Sequence, residues 1–557
     1  MSWKIKEKYR AILDREEGKV AGNWGGSLTV CLVYPNRYST AMGNLGFQTV
    51  YSLINGFPDA ICERAFLPDD AEEAEYRRSG SRLLSLESQR PLSEFDIVAF
   101  SVSFENDYLN IPRILALSGI PSRAADRPSS FPLLIAGGAA LFLNPEPVAD
   151  FMDLVCVGEA EPLLPALLDM VRVSRGGGRD AFLVQAAGMP GFYVPGLYRH
   201  SYAGPRVTAI ENHPGAAFPV RRVWDSELGQ AAVSSVLFSP DIEFSDMYLI
   251  EVSRGCPRGC RFCAAGFIYH PYRQRPLELL RDEAARGLSL KRRIGLVGAA
   301  VSDHPDLGEL CRWIVDQGGK VSVSSLRIDA LDDGLLDALH ASGHKTVALA
   351  PEGGSQRLRD LIRKGINEEQ ILDACDRLIS RDMLNLKLYF IVGLPTETMA
   401  DLEEMVARIG KIRERVIAAA RKNRRLGSIL LSVNPFVPKP FTPFQWCGME
   451  VLPSLEKKYD FLRRAAGRLS NVKIQLESLR EAYLQALLSR GDRRLGALLV
   501  RALETGSWKR AARELPLDTD TLVHRNIPPD EMLPWDVIDD GRRDVLVREF
   551  GKAFSGC

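Results

Sequence analysis

Three cysteines, Cys256, Cys260 and Cys263, stand four and then three residues apart in the stretch EVSRGCPRGCRFCAAGFIYHPYRQRP. This stretch is rich in Gly, Arg and Pro and begins within an apolar run at residues 247–252. Thiolates on one short loop can bind a metal, but most structural metal centres have four ligands. The spacing therefore predicts a metal-binding loop and leaves open what supplies the fourth ligand.

Two kinds of metal centre are compatible with three thiols on a loop. A structural zinc ion prefers four tetrahedral ligands, usually from two closely spaced pairs. No second cysteine pair is present, and His270 and Cys447, the available fourth ligands, show no recognisable zinc spacing. An iron–sulfur cubane bound by three thiolates would instead leave one iron open. A small molecule can chelate an open iron, so the fourth ligand would then be a substrate or a cofactor.

The composition is typical of a soluble globular protein. The chain has 557 residues, of which 46% are apolar and 25% charged, and length alone predicts two to four domains. Lys plus Arg equals Asp plus Glu, 71 each, so the net charge gives no reason to expect nucleic acid or an anionic membrane as a partner. The net charge of the whole chain does not reveal whether a local basic patch is present. The first twenty residues do not resemble a signal peptide, and we expect a cytoplasmic protein without a membrane partner.

The loops that could carry further chemistry belong to two arrays of alternating strands and helices. Residues 28–175 contain five strand-like runs with helical segments between them, which predicts a doubly wound parallel sheet. Ligands bind such sheets at the carboxyl ends of the strands. Ser101, Ser103, Gly137 and Gly138 lie at predicted strand ends, where glycine would let a ligand approach the backbone. The alternative for the glycines is a tight strand-to-helix turn.

A second array covers residues 246–450, after a Gly/Pro-rich connector at 176–245. Six βα units in this range predict a curved parallel sheet or incomplete (β/α)6 barrel, with activity at the carboxyl ends of its strands. The cysteine loop follows the first of these strands. Residues 1–27 are expected to form an N-terminal helix, and residues 451–557 a mostly helical C-terminal region. The Lys/Arg-rich run at 408–425 fits either a solvated helix face or an RNA contact.

The pattern C-x-x-x-C-x-aromatic-C, with Phe262 as the aromatic residue, after the first strand of such an array resembles the radical S-adenosylmethionine superfamily. This resemblance implies that Cys256, Cys260 and Cys263 hold a [4Fe–4S] cluster whose fourth iron is chelated by S-adenosylmethionine. One electron from the cluster would then release a 5′-deoxyadenosyl radical. The resemblance also implies a reducing partner such as flavodoxin or ferredoxin, and a substrate that the sequence does not reveal.

The same resemblance directs attention to polar residues at the other strand ends. Ser302 and Asp303 follow strand two, where relatives recognise the amino group of S-adenosylmethionine, although the local sequence departs from the commoner Gly-Gly-Glu pattern. The remaining cofactor-binding candidates at strand ends are Ser325, Arg327, Glu352, Arg357 and Gly393. Glu352 is expected to accept hydrogen bonds from a ribose or an ammonium, Arg357 to pair with a carboxylate, and Gly393 to let adenine approach the backbone. For a strand-end Glu, the alternative is a helix N-terminal residue that satisfies the dipole.

The segments GNLGFQTVYSLIN, LFLNPEPVADFMDLVCVGEAEP, VSVNPFVPKPFTPFQW and SRGDRRLG look like a radical S-adenosylmethionine group whose N-terminal domain is related to cobalamin-binding modules. Cobalamin is therefore a further expected cofactor, with Ser101 and Ser103 facing its nucleotide tail. The chain has no histidine before His200, so no histidine of this sheet can ligate cobalt. The lower face of cobalamin would be open, or capped by Asn36, Arg37, Tyr38 or Met42. The alternative is a degenerate module that serves only as a docking platform.

The leading hypothesis is an enzyme that cleaves S-adenosylmethionine and, with cobalamin bound, methylates an unactivated carbon. An enzyme that modifies RNA or a ribosomal component without cobalamin is the first alternative, suggested by the PKP segment at 438–440 and by the helical tail. A non-catalytic sensor of cluster or cobalamin occupancy is the second. Cys447 is either a buried thiol or a cavity residue, and Tyr269, Arg273 and Arg275 are expected near the cavity mouth.

Overall fold

The computed structural model describes residues 3–18, 28–174, 178–228, 232–290, 292–324, 326–423 and 426–555. Ser325 and Cys557 lie outside this range, as do parts of the Lys/Arg-rich run at 408–425. No helix among the described residues is both long and apolar enough to cross a membrane.

The N-terminal domain is built on a six-stranded sheet with the order β2-β1-β3-β4-β5-β6. Its strands are β1 (Leu28–Tyr34), β2 (Ala60–Phe66), β3 (Ile97–Ser101), β4 (Leu133–Gly137), β5 (Leu154–Cys156) and β6 (Phe192–Tyr193). The first five are parallel and match the five predicted strands. All seven residues of β1 and of β2 are buried, because helices cover both faces of a doubly wound sheet.

The sixth strand was not predicted. It pairs antiparallel with β5 and comes from the segment assigned to the connector. Two residues are too few to show a periodic pattern, so only the pairing of their backbone groups with a sheet edge defines them. The helices of this domain are α1 (Trp3–Leu13), α2 (Tyr38–Met42), α3 (Leu45–Asn55), α4 (Asp70–Ser79), α5 (Asn110–Ser118), α6 (Ala139–Leu143), α7 (Ala160–Ser174) and α8 (Arg179–Ala187).

The predicted connector is more structured than its composition indicates. Besides α8 and β6 it contains an antiparallel hairpin of β7 (Tyr198–Ala203) and β8 (Arg206–Asn212). Its next strand, β9 (Val220–Arg221), pairs with β19 (Ile538–Asp539) near the C-terminal end of the chain. The segment therefore joins the N-terminal domain to the C-terminal region.

The second array forms a curved parallel sheet in two parts, ordered β10-β13-β14 and β15-β16-β17-β18. A parallel bridge between Leu326 and Leu349 links the parts. The strands and the short ladder near the cysteines are β10 (Met247–Glu251), β11 (Ser253–Arg254), β12 (Arg273–Gln274), β13 (Arg293–Val297), β14 (Val321–Val323), β15 (Thr346–Glu352), β16 (Asn385–Val392), β17 (Ser428–Pro435) and β18 (Val472–Leu476). Its helices are α9 (Ala265–Ile268), α10 (Leu277–Ser289), α11 (Leu307–Asp316), α12 (Asp333–Ala341), α13 (Gln356–Leu361), α14 (Glu368–Ser380) and α15 (Met399–Asn423).

The six predicted strands and their crossover helices are all present. A seventh strand, β18, extends the sheet beyond residue 450, parallel to β17, in the region predicted to be mostly helical. The helices of that region are α16 (Leu452–Gly467), α17 (Leu479–Arg490), α18 (Leu495–Thr505), α19 (Trp508–Glu514), α20 (Thr519–His524) and α21 (Arg543–Phe554). One continuous apolar core runs through the N-terminal domain, the barrel and these helices, so the parts pack as one body.

Candidate active site

The cysteine loop lies between the two short strands that follow β10. Ser253 and Arg254 pair antiparallel with Gln274 and Arg273, which closes the loop at its base. Gly255 begins the loop with φ +85°, and a Cβ there would lie 2.2 Å from the carbonyl oxygen of Tyr269. Only glycine fits this left-handed, crowded position, so the chain turns sharply just before the first cysteine.

The three thiols are free and differ in exposure. Cys260 is buried, while Cys256 and Cys263 are partly exposed. Burial raises the pKa of Cys256 and raises the pKa of Cys263 to about 11. Both are therefore protonated at neutral pH until a metal displaces the protons. Within the described parts of the chain, no three His, Cys, Asp or Glu side chains converge on a position for a single metal ion.

The outer side of the loop is fixed by backbone contacts to the barrel. The Arg261 amide donates to the carbonyl of Ile362 at 2.9 Å, and the Arg261 carbonyl accepts from the Phe444 amide at 3.1 Å. The Arg261 guanidinium also donates to the carbonyl of Leu361 at 2.7 Å. Phe262 packs on an apolar cluster that includes Leu361 and Phe444. The predicted aromatic position is therefore part of the wall that holds the loop in place.

The predicted residues after the second and third barrel strands meet beside the loop. Asp303 pairs with Arg258 of the cysteine loop, which also contacts Asp329 at 3.1 Å. Ser302 Oγ accepts from the Arg327 amide at 3.2 Å, and Arg327 pairs with Asp329. Asp303 Oδ2 is buried and has no hydrogen-bond partner among the residues that the structure describes. Recognition of an ammonium group by Ser302 and Asp303 stays a prediction, and this oxygen is the acceptor that it would use.

Glu352 also lies at the loop. It ends β15 in the left-handed region, with φ +62°, and its nearest cation is Lys364 at 3.5 Å. Burial raises the pKa of Glu352, with Lys364 and Arg327 opposing the shift. The charge of Glu352 in turn contributes to the raised pKa of Cys263, so the two side chains are close. Glu352 is available to accept hydrogen bonds from a bound cofactor.

Two other predicted residues are engaged elsewhere. The Arg357 guanidinium, predicted to bind a cofactor, pairs with the carboxylate of Asp401 at 2.6 Å and also donates to Thr396. Gly393 has φ +80°, and a Cβ there would lie 2.7 Å from Leu455 Cδ2 and 3.0 Å from Glu450 Oε2. The space above Gly393 is thus filled by Leu455 of α16 and by Glu450, which precedes that helix, so this glycine allows close packing.

One cavity of about 570 Å³ connects the cysteine loop with the N-terminal domain. Gly255 lines it on the barrel side, and Ser101, Ser103, Gly137 and Gly138 line it at the carboxyl ends of β3 and β4. All four predicted strand-end residues of this domain are therefore brought together. Gly138 has φ +114°, and a Cβ there would lie 2.5 Å from the carbonyl oxygen of Val102, so the tight-turn interpretation is correct for this glycine.

The inner part of the cavity is an apolar slot between the sheet and two helices. The side chains that line it come from β1, β3 and β4 on one side and from α3 and α7 on the other. Representative residues are Leu32, Ala99, Ile135, Val50, Leu164 and Leu167. A slot of this shape suits a flat, mostly apolar group, and its volume lies within the range of small-molecule sites.

The four residues proposed for the lower face of cobalamin are engaged away from the cavity. Asn36 donates to Asp107, Arg37 pairs with Asp70, and the Tyr38 hydroxyl donates to Glu16. Met42 Sδ lies 3.2 Å from the Arg64 guanidinium. None of the four is among the described residues that line the cavity. The nearest polar side chain of this loop is Asn44, which lines the cavity and donates to Ser103 Oγ at 3.1 Å.

A charged network that lines part of the cavity was not predicted as a unit. Arg254 pairs with Glu159 of the loop after β5 at 2.7 Å, with Glu161 of α7 at 2.8 Å, and with Glu251 at 2.9 Å. Arg273 binds Glu159 at 2.6 Å, and Arg275 binds Glu251 at 2.5 Å. These pairs tie the N-terminal domain to the base of the cysteine loop. In the sequence, the acidic GEAE turn at 158–161 and the position of Arg254 next to the cysteine loop were the signals from which this network could have been predicted.

The predicted mouth residue Tyr269 lies in the cavity, where its ring is 6.1 Å from that of Phe142. Cys447 is buried in the cluster with Phe436 and Phe444, and the described lining does not include it. Lys439 of the PKP segment forms an ion pair with the buried Glu105 at 2.5 Å. Cys447 is thus a buried thiol, and Lys439 serves a contact between domains.

Comparison with known proteins agrees with this arrangement. The family model "Radical SAM proteins, N-terminal" matches residues 46–195, and "Radical SAM superfamily" matches residues 250–409. An uncharacterized protein of Methanocaldococcus jannaschii is 30% identical over 475 residues, which cover 84% of this chain and 90% of the relative. A tRNA-2-methylthio-N(6)-dimethylallyladenosine synthase of Hahella chejuensis is 28% identical over 180 residues, only 40% of its length.

Among solved structures, the chain is similar to the radical S-adenosylmethionine methyltransferase TsrM from Kitasatospora setae with cobalamin and a [4Fe–4S] cluster bound. The identity is 17%, the TM-score is 0.46, and the match covers 77% of this chain and 80% of that chain. The assignment to a family rests on the sequence matches. One family model matches within each of the two domains, and the relative from Methanocaldococcus jannaschii covers 84% of this chain. The chain belongs to the radical S-adenosylmethionine superfamily, and it is an enzyme whose cofactors are a [4Fe–4S] cluster and S-adenosylmethionine.

Proposed function

We propose that this enzyme binds cobalamin in its N-terminal domain and transfers a methyl group to an unactivated carbon of its substrate. The observation that carries the proposal is the single cavity that reaches from the apolar slot of the N-terminal sheet to Gly255 at the cysteine loop. A methyl carrier and an adenosyl donor bound in one cavity would both reach the same substrate.

The donor set at the loop fits an iron–sulfur cluster with an open iron. Cys256, Cys260 and Cys263 would hold three irons, and the pairing of β11 with β12 closes the base of the loop that carries them. When bound and reduced, the cluster supplies the electron that cleaves S-adenosylmethionine to a 5′-deoxyadenosyl radical. The Asp303 Oδ2 atom, which accepts no hydrogen bond from the described residues, and the Glu352 carboxylate would orient the ammonium and the ribose of that molecule.

The N-terminal cavity fits cobalamin in two respects. The apolar slot between the sheet and helices α3 and α7 offers a dry site for the nucleotide base, and Ser101, Ser103 and Asn44 offer polar contacts at its edge. No histidine or methionine is among the described lining residues, so the lower face would have no such ligand from this sheet. Bound cobalamin would supply a carrier for the methyl group.

The radical step is tested with two cysteine variants. We expect Cys260→Ala to abolish formation of 5′-deoxyadenosine under anaerobic conditions with dithionite, because one iron loses its thiolate. Cys447→Ala is the matched control, since Cys447 is also buried but packs with Phe436 and Phe444. Iron and sulfide content and 5′-deoxyadenosine are the measurements. Product formation that survives in Cys260→Ala would contradict the assignment of the loop.

The cobalamin step is tested with Ala99, a small residue of β3 that lines the slot. We expect Ala99→Phe to fill the slot and to reduce cobalt content after purification with cobalamin supplied, by at least tenfold. Iron content should not change, because Ala99 lies in the other domain. Ala99→Ser, which adds little volume, is the control. A wild-type protein without cobalt would contradict the cobalamin proposal while leaving the radical step intact.

A second candidate function is modification of RNA or of a ribosomal component without cobalamin. The likeness to the tRNA-modifying enzyme of Hahella chejuensis, 28% over 180 residues, favours it. The contact of Lys439 with Glu105 weakens the PKP segment as support, because this lysine already has an internal partner. Incubation of the cobalamin-free enzyme with bulk tRNA or ribosomes, followed by mass spectrometry of nucleosides and proteins, distinguishes the two candidates.

A further inference from the structure

A group of cations shares one buried carboxylate on the outer side of the cysteine loop. Glu549 of α21 contacts Lys552 at 2.8 Å, Arg363 at 3.3 Å and Arg261 at 3.4 Å. Glu549 itself is buried, whereas the Arg363 and Lys552 side chains are more than half exposed. With three positive charges and one negative, this group has a net charge of +2. We call these four residues the Glu549 group.

The Glu549 group lies directly on the cysteine loop. A Cβ at Gly259, between Cys256 and Cys260, would be 2.9 Å from Arg363 Nη1, so the guanidinium lies against this turn. Arg261 lies between Cys260 and Cys263 and bonds to Glu549. The described residues that line the cavity do not include any member of the group. The basic surface is therefore next to the cluster ligands but separate from the substrate cavity.

We propose that the Glu549 group is the docking surface for an acidic one-electron carrier protein of the flavodoxin type. The inference rests on the radical chemistry of the enzyme but not on the presence of cobalamin. In the transfer step, the reduced carrier loses one electron and the oxidised cluster gains it, and no bond forms or breaks. A surface next to the cysteine turn gives a short path for this electron. Its positive charge complements an acidic carrier, which favours encounter and orientation.

A substrate RNA is the other polyanion that a basic surface could attract. RNA that is to be modified must reach the substrate cavity, and no member of the Glu549 group is among its described lining residues. The position of the charges thus favours the electron carrier.

The test uses charge reversal at the two exposed cations, Arg363→Glu and Lys552→Glu, alone and together. The probe is a purified acidic flavodoxin, whose affinity for the full-length protein is measured by titration at low and high ionic strength. We expect the double variant to weaken binding at least tenfold at low ionic strength and to lose most of the salt dependence. Formation of 5′-deoxyadenosine should fall with reduced flavodoxin and remain within twofold of wild type with dithionite.

Lys411→Glu is the matched control. Lys411 lies on α15, its side chain has the same exposure as that of Lys552, 57%, and it likewise pairs with a glutamate, Glu368. Unchanged flavodoxin affinity in the double variant, or equal weakening in Lys411→Glu, would overturn the proposal. If the double variant also loses activity with dithionite, it has lost its cluster. The single variant Lys552→Glu, on the exposed side of α21, is then the one that tests the docking surface. A loss of tRNA binding with unchanged flavodoxin binding would assign the surface to RNA instead. Wild type without dithionite activity would contradict the radical step, not the surface.

Discussion

Individual residues at the barrel rim have distinct roles even though they share one hydrogen-bond network. Asp329 accepts from Arg327 and from Arg258 and is therefore fully engaged. Asp303 pairs with Arg258, yet its buried Oδ2 accepts no hydrogen bond from the described residues, and the Arg327 Nε atom is 3.8 Å away. A buried acceptor without a hydrogen bond is costly, so Asp303 Oδ2 is the better candidate for contact with a bound ammonium group.

We expect Asp303→Asn to raise the KM for S-adenosylmethionine about tenfold, which corresponds to about 1.4 kcal/mol, because the charge that would bind the ammonium is lost. The measurement is 5′-deoxyadenosine formation against S-adenosylmethionine concentration, with iron content checked. Asp329→Asn is the control, since it belongs to the same network but has no free oxygen. An equal change in both variants would show that the network acts only structurally.

At the scale of elements, α21 closes the cysteine loop from outside. Phe550 and Phe554 pack on each other. Phe550 also packs on Trp446, and Phe554 packs on Phe444. Both phenylalanines contact the same apolar cluster as Phe262. The helix is far from the cysteines in the sequence. Arg261 and Glu549, which are in contact, are separated by 288 residues. It thereby shields the loop from solvent.

We expect Phe550→Ala to destabilise this cover by about 2 kcal/mol, less than for a fully buried phenylalanine, and to speed the loss of the cluster in air. Decay of the visible absorbance of the cluster after exposure to oxygen measures the effect. Phe461→Ala, at a partly buried phenylalanine of α16 that packs on the main core, should leave the decay rate unchanged. Identical decay in the two variants would contradict a shielding role for α21.

At the scale of the whole molecule, two motifs that are far apart in the sequence form one buried contact. Glu146 accepts from the Tyr193 hydroxyl at 2.5 Å and from Arg493 at 3.1 Å. Asn144 donates to the carbonyl groups of Ser489 and Gly491. The segments LFLNPEPVAD and SRGDRRLG thus join the N-terminal domain to the C-terminal helices.

His200 makes this contact sensitive to pH. Its ring is buried, both of its nitrogens lack a hydrogen-bond partner within the described structure, and Glu146 Oε2 is 3.5 Å away. Burial lowers the pKa of His200 below 6.5, with Glu146, Asp492 and Asp150 opposing and Arg493 reinforcing the shift. The unfolded chain therefore binds this proton at higher pH than the folded chain, and the contribution of His200 to stability falls as the pH drops through 6.5.

We expect the midpoint of thermal unfolding to decrease between neutral pH and the mildly acidic range, and His200→Phe to remove part of that decrease. Melting curves of both proteins across this range measure the difference. His213→Phe is the control, because His213 is exposed. A decrease that is the same in wild type and in His200→Phe would show that other groups control the acid sensitivity.

The sequence by itself determined the elements and the metal loop of this protein. Local periodicity specified the five parallel strands of the first domain, the six βα units of the second, and the position of the cysteines after the first barrel strand, because these features depend on near neighbours in the chain. The tertiary structure decided what joins them. The two-residue β6 and the late strand β18 form by pairing with a sheet edge, Arg254 binds Glu159 and Glu161, and α21 covers the loop. Such contacts depend on how distant segments dock, and side-chain charge alone does not specify which partner a residue meets.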